Sequence, residues 1–225
     1  AGYSQLLFGA PSMANPNSVT SYLASLLAVP GAAPYLTEVV YHRYSVPLPS
    51  TLSSIASAAK AAGLRTAMLE HIGANARELY EDLTLANVSS WQRYALAGPY
   101  GGPNGGSQLY YVDLANDSYT LRKSAYELRQ YFKYVRPGAV RIGASSTDPA
   151  VHPVAFRDQA GRIVTVLNAD KAATITVGGL PGGKYEVSYT TVSLFGVVVG
   201  SQTITTGQTL TTSIPAAGTL TVAPL

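Results

Sequence analysis

The sequence has 225 residues, only 12% of them charged, with 15 Lys and Arg against 12 Asp and Glu. A hydrophobic share of 47% excludes a disordered chain, and a net charge of +3 without a basic run excludes an electrostatic nucleic-acid binder. There is no Cys, which removes disulfides, thiolate metal sites and a Cys nucleophile, and no apolar run reaches the ~18 residues of a membrane span.

Ala1-Gly2-Tyr3 carries no signal-peptide pattern, and without an initiator Met the chain is expected to begin after processing or inside a longer protein. Sixteen Tyr against four Phe, with low charge, suit a secreted protein, extracellular or periplasmic. The pattern of residues changes near Pro137-Gly138, so two domains are expected, 1–138 and 139–225.

In the first part, Gln5 to Ala10 predicts a buried strand ended by Pro11. Ser18 is placed to cap a helix with Val19, Tyr22, Leu23, Leu26 and Leu27 on its apolar face. Glu38 to His42 predicts a second strand, and Thr51 to Ala62 a helix stopped by Gly63. Leu64 to Leu69 predicts a third strand ending at Glu70-His71, Ala76 to Leu85 a helix, and Trp91 to Leu96 a fourth strand. A Gly/Pro-rich loop follows from Gly98 to Gly106, then a hairpin strand from Leu109 and a helix over Leu121–Tyr134. Four successive βα units predict a parallel sheet, either doubly wound or part of a (βα)8 barrel. No GxGxxG or Walker loop follows any of the strands, which weighs against a nucleotide site. In the second part, six β-branched runs between Val151 and Val222, separated by Gly, Pro and Asp turns, predict an antiparallel β-sandwich.

Parallel α/β folds gather functional groups where strands end and βα loops begin. Those positions hold His42 and Tyr44 after the second strand and Glu70 and His71 after the third, with Trp91 opening the fourth. A carboxylate, imidazoles, a phenol and an indole together make a sugar subsite, the indole facing the C–H side of a pyranose. Glu70 follows the buried run Ala67-Met68-Leu69, as a nucleophile at an anomeric carbon would. The alternative is a Glu that caps the next helix or pairs with Arg65 or Arg77; for His42 it is a core histidine, and for Trp91 it is barrel-wall packing. Asp113 and Asp117 read as turn residues and His152 as structural.

The segment from Tyr126 to Ile142, with Phe132-Lys133-Tyr134-Val135-Arg136-Pro137-Gly138-Ala139-Val140-Arg141-Ile142 at its heart, resembles the junction between the last barrel helix and the β-sandwich of glycoside hydrolase family 30, in clan A. Tyr41-His42-Arg43-Tyr44 resembles the end of that family's sixth barrel strand. Leu69-Glu70-His71 resembles the end of the seventh, where the nucleophile sits, and Trp91 resembles the eighth-strand tryptophan. The resemblance implies an α/β plus all-β fold: the last four βα units of a TIM-type barrel, followed by the sandwich. It further implies a retaining glycoside hydrolase acting on β-linked glycans, with Glu70 as catalytic nucleophile and His42, Tyr44, His71 and Trp91 binding the carbohydrate. No metal or organic cofactor is expected, nor a nucleic-acid or membrane partner.

No residue matches the family's Asn-Glu-Pro acid/base motif of the fourth strand. A half-barrel with two open edges is therefore expected to associate, as a homo-oligomer or with a second chain completing the barrel. The competing expectations are a non-catalytic carbohydrate-binding or structural remnant and a protein-docking module.

Overall fold

In the computed structural model, residues 6–103 and 107–225 are described. Gln5 of the first expected strand and residues 104–106 of the Gly/Pro loop lie outside them. The chain forms two compact units. Of the described residues, one holds 6–74, 78–101 and 107–108, and the other 75–77, 102–103 and 109–225.

The first unit is a parallel sheet in the order β1-β2-β3-β4: β1 Phe8–Met13, β2 Leu36–His42, β3 Arg65–Glu70 and β4 Ser90–Trp91. Helices α1 (Val19–Leu27), α2 (Pro49–Ala61) and α3 (Ala76–Thr84) alternate with the strands, as a crossover between parallel neighbours requires. Val19, Leu23, Leu52, Ile55 and Ala59 of the helices pack with Val39, Tyr41 and Met68 of the sheet in one core. Gly63 ends α2 with φ +69, a conformation suited to a residue without Cβ.

Three expectations need correction here. Strand β1 runs through Pro11 instead of stopping there: among the described residues β1 pairs only with β2, and an edge strand tolerates a residue without an N–H donor. Ser18 makes no side-chain cap, and it is the Asn15 side chain that accepts from the Asn17 amide in the turn before α1; Tyr22 and Leu27 are exposed. The fourth strand is only Ser90–Trp91, because pairing stops where Ala67 and Met68 have been matched; β5, Ala97–Gly98, is a separate two-residue strand.

The second unit opens with the hairpin β6 (Tyr110–Asp113) and β7 (Ser118–Leu121). The Asp113 carboxylate accepts from the amides of Ala115 and Asn116, and Asp117 takes φ +48, so both work as turn residues. After α4 (Lys123–Phe132) come β8 (Val140–Ile142), β9 (Val151–Arg157), β10 (Ile163–Ala169), β11 (Ala173–Val177), β12 (Gly183–Thr191), β13 (Val197–Ile204), β14 (Leu210–Ile214) and β15 (Gly218–Pro224). An antiparallel sheet ordered β13-β12-β15-β10-β9-β8 faces the pair β11-β14 over a core of Leu167, Val187, Leu210, Ile214, Leu220 and Val222.

The two units do not divide at Pro137–Gly138. Helix α4 belongs with the sandwich because its buried side chains Leu128, Gln130 and Tyr131 lie on β12 and β15. Gln130 accepts from Ser188 and donates to Thr190, and Asn168 donates to Tyr131 and accepts from Thr219, so this seam is polar yet paired. His152 joins Asp170 in the same unit at 2.9 Å. Among the described residues no helix is long and apolar enough to cross a membrane.

Candidate active site

The ends of β1, β2 and β3 meet at one polar cluster. Strand parity would separate its members, since side chains alternate faces. Tyr41 pairs with Met68, and both enter the helix-side core. The next pair is not His42 with Leu69 but His42 with Glu70, so β3 carries one extra residue. This bulge turns Glu70 to the face on which His42 lies.

Among the described residues, two groups bear on the Glu70 carboxylate, and both do so at Oε1. The Tyr44 hydroxyl donates a hydrogen bond to it, and His42 Nδ1 stands 3.7 Å away. The Tyr44 ring also meets both imidazoles edge-on, with its centroid 5.9 Å from His42 and 6.0 Å from His71. His71 Nδ1 lies 3.0 Å from Glu78 Oε2, which fixes the ring from the first turn of α3. The Glu70 side chain is 34% exposed, so one side faces solvent.

Partial desolvation, with the bond to Glu70 and its charge, pushes the Tyr44 phenol up to about 12. The sign follows from an unfolded phenol near 10: the Tyr44–Glu70 contribution to stability is fully present below pH ~10 and is lost as pH rises through about 12. A spectrophotometric titration of wild type minus Tyr44→Phe is expected to show one phenol ionising near pH 12. An ionisation at the ordinary tyrosine value would contradict the bond.

Neither guanidinium weighed against Glu70 reaches it. Arg65 pairs with Glu38 and Arg77 with Asp170. Trp91, expected beside Glu70 as a sugar platform, is not brought to it. Its pairing with Met68 sets it toward the helix-side core, and its indole N–H donates to Asp82 of α3 at 2.8 Å.

Asp82 is the centre of a second, buried cluster that the sequence reading did not find. Tyr41 donates to its Oδ1 at 2.6 Å and Arg43 Nη1 donates to the same oxygen at 2.9 Å, while Arg43 Nη2 reaches Glu81 at 2.9 Å. Burial works against the Arg43 charge, but Asp82 beside it and the bond to Glu81 hold its pKa above the ordinary value. Tyr41 and Arg43 flank His42 in sequence, so this cluster fixes the end of β2 from the side opposite the site. A further neighbour also escaped the sequence reading: Ser12 Oγ lies 3.2 Å from His42 Nε2. The signal that could have found it is a serine two residues from the end of the expected apolar strand, on the same parallel-strand end as His42 and Glu70. Among the described residues no cluster of three or more His, Asp or Glu is arranged to hold a metal ion.

No protein-family model and no curated protein matches the sequence. Solved structures do match in fold. A GH30 endoxylanase from Clostridium papyrosolvens C71 superposes with a TM-score of 0.80 at 17% identity, over 100% of this chain and 57% of that one. A glycoside hydrolase family 30 subfamily 8 xylanase from Clostridium acetobutylicum gives 0.77 at 18% identity, over 97% and 56%. A GH51 arabinofuranosidase from Xanthomonas axonopodis pv. citri gives 0.59 at 13%, over 99% and 59%. The chain thus spans about half the length of the structures it matches.

Proposed function

We propose that this chain, which has the fold of the C-terminal part of the family 30 glycoside hydrolases, with half a (βα)8 barrel and a β-sandwich, is the nucleophile-bearing portion of a retaining enzyme acting on β-linked glycans. The observation that carries this reading is the partly exposed Glu70 carboxylate. It stands at the carboxyl end of a parallel strand, with both of its contacts on one oxygen. Oε2 is left to attack the anomeric carbon, while Tyr44 and His42 hold the carboxylate in place. His71, fixed by Glu78, lies where it can bind a sugar hydroxyl.

A retaining mechanism needs a second carboxyl about 5–5.5 Å from the first, to protonate the leaving oxygen and then activate water. That group is assigned to the four strands that complete the barrel, whether they belong to a longer form of this protein, a second chain or a second copy. The edge strand β1 supports such a partner. Leu6 and Leu7 just before it and Phe8 at its start are 50–61% exposed, and among the described residues its outer edge has no strand partner, so a hydrophobic edge calls for a neighbour. The substrate is a carbohydrate, the chemistry needs no cofactor, and the low-charge, tyrosine-rich composition suits a protein outside the cytoplasm.

A panel of β-linked xylans and glucans, incubated with the chain over a range of concentrations, tests the proposal. Sugar release that climbs faster than in proportion to protein concentration is expected. Glycan binding with no release at any concentration would instead favour a carbohydrate-binding remnant.

A further inference from the structure

Three adjacent strand ends, β1, β2 and β3, carry Ser12, His42 and Glu70 in line. Ser12 Oγ is 3.2 Å from His42 Nε2, and His42 Nδ1 is 3.7 Å from Glu70 Oε1. The two ring nitrogens therefore face different partners, a hydroxyl on one side and a carboxylate on the other. A base oriented by an acid, with an alcohol on its free nitrogen, is the arrangement that activates a serine, and it is recognised by geometry and not by chain order.

The backbone at Ser12 adds an independent observation. Its φ is +58, in a region that non-glycine residues seldom occupy. It lies within β1, one residue before its end, as the extra residue where the pairing of β1 with β2 passes from Pro11 to Met13, and it is exposed. A strained bulge residue near the end of a strand is a recurrent way of aiming a side chain into an active site.

We propose that Ser12, His42 and Glu70 form a serine–histidine–carboxylate relay, making Ser12 a nucleophile toward small carboxylic esters. Ser12 Oγ attacks the ester carbonyl carbon as its proton passes to His42 Nε2. The tetrahedral intermediate collapses, the C–O bond to the alcohol breaks, and the departing oxygen takes that proton. Water then attacks the acyl-serine through the same base, releasing the acid and restoring the Ser12 hydroxyl. Glu70 stays ionised throughout and stabilises the imidazolium, a contact that strengthens when His42 gains its proton. This activity does not rest on the glycosidase reading, since it needs neither a second carboxylate nor a completed barrel.

The test is covalent labelling of the chain by a fluorophosphonate, located by peptide mass spectrometry, together with p-nitrophenyl acetate hydrolysis. One adduct on Ser12 is expected, with release of fluoride. Ser12→Gly should abolish both label and hydrolysis; glycine accepts φ +58, so the variant keeps its fold. His42→Asn should slow labelling by about 100-fold or more. A chain that takes no label, takes it on another serine, or labels equally fast without His42 overturns the proposal. Because no sugar is involved, a Ser12 adduct on a protein that cleaves no glycoside would count against the glycosidase reading alone.

Discussion

Glu70→Gln is expected to lower cleavage of an activated aryl β-glycoside at least about 10³-fold while leaving the melting temperature nearly unchanged. The glutamine is isosteric, and its carbonyl oxygen can still accept from Tyr44, so the local hydrogen bond survives. What disappears is the negative oxygen that must form the bond to the anomeric carbon. An activated leaving group departs without protonation, so this assay isolates the nucleophile from the carboxyl assigned to the rest of the barrel. A variant that turns over at the wild-type rate would remove Glu70 from the chemistry.

Asp82→Ala is expected to cost about 3–5 kcal/mol of folding stability, read from denaturant midpoints with unchanged slope. The Asp82 and Arg43 side chains are 0% and 3% exposed, and the carboxylate accepts from Arg43, Tyr41 and Trp91 together. Its removal leaves a buried guanidinium bonded to Glu81 alone among side chains and takes the acceptor from the buried Tyr41 hydroxyl. Asp82→Asn keeps an acceptor and loses only the charge, so its cost should be smaller. Equal stability of wild type and Asp82→Ala would show that the cluster contributes nothing. The link to function runs through His42, whose chain neighbours Tyr41 and Arg43 are both tied to Asp82. A loosened end of β2 should also weaken the hold on Glu70.

The elements most legible in the sequence are those whose pattern is local. Leu52, Ile55 and Ala59 at helical spacing gave α2, Gly63 gave its end, and the apolar run before Glu70 gave β3. Glu70, His42, Tyr44 and His71 could be placed together because parallel strands share one functional end. The bulge that aims Glu70 was not legible, since register is a property of two strands and Leu69 looks like any other strand residue. The polar cluster around Asp82 was hidden for the same reason: a carboxylate on a helix reads as solvent-facing until Tyr41, Arg43 and Trp91 are seen to converge on it. Trp91 shows how a two-residue strand defeats a motif, because the partner residue Met68 decides which face it takes. In the second unit, β14 escaped notice because Thr and Ser fill the alternate positions of Leu210–Ile214, and Thr212 is itself buried. Helix α4 lay before the apparent boundary at Pro137, yet Gln130 commits it to Ser188 and Thr190.

The most direct measurement uses a dinitrophenyl β-glycoside bearing fluorine beside the anomeric carbon. The good leaving group makes glycosylation of the enzyme possible without an acid, while the fluorine slows the release that follows. Peptide mass spectrometry of the wild-type chain should find one sugar esterified to Glu70 and none in Glu70→Gln. A sugar attached to another carboxylate, or no adduct on a chain that binds the glycoside, would contradict the assignment of Glu70 as the nucleophile.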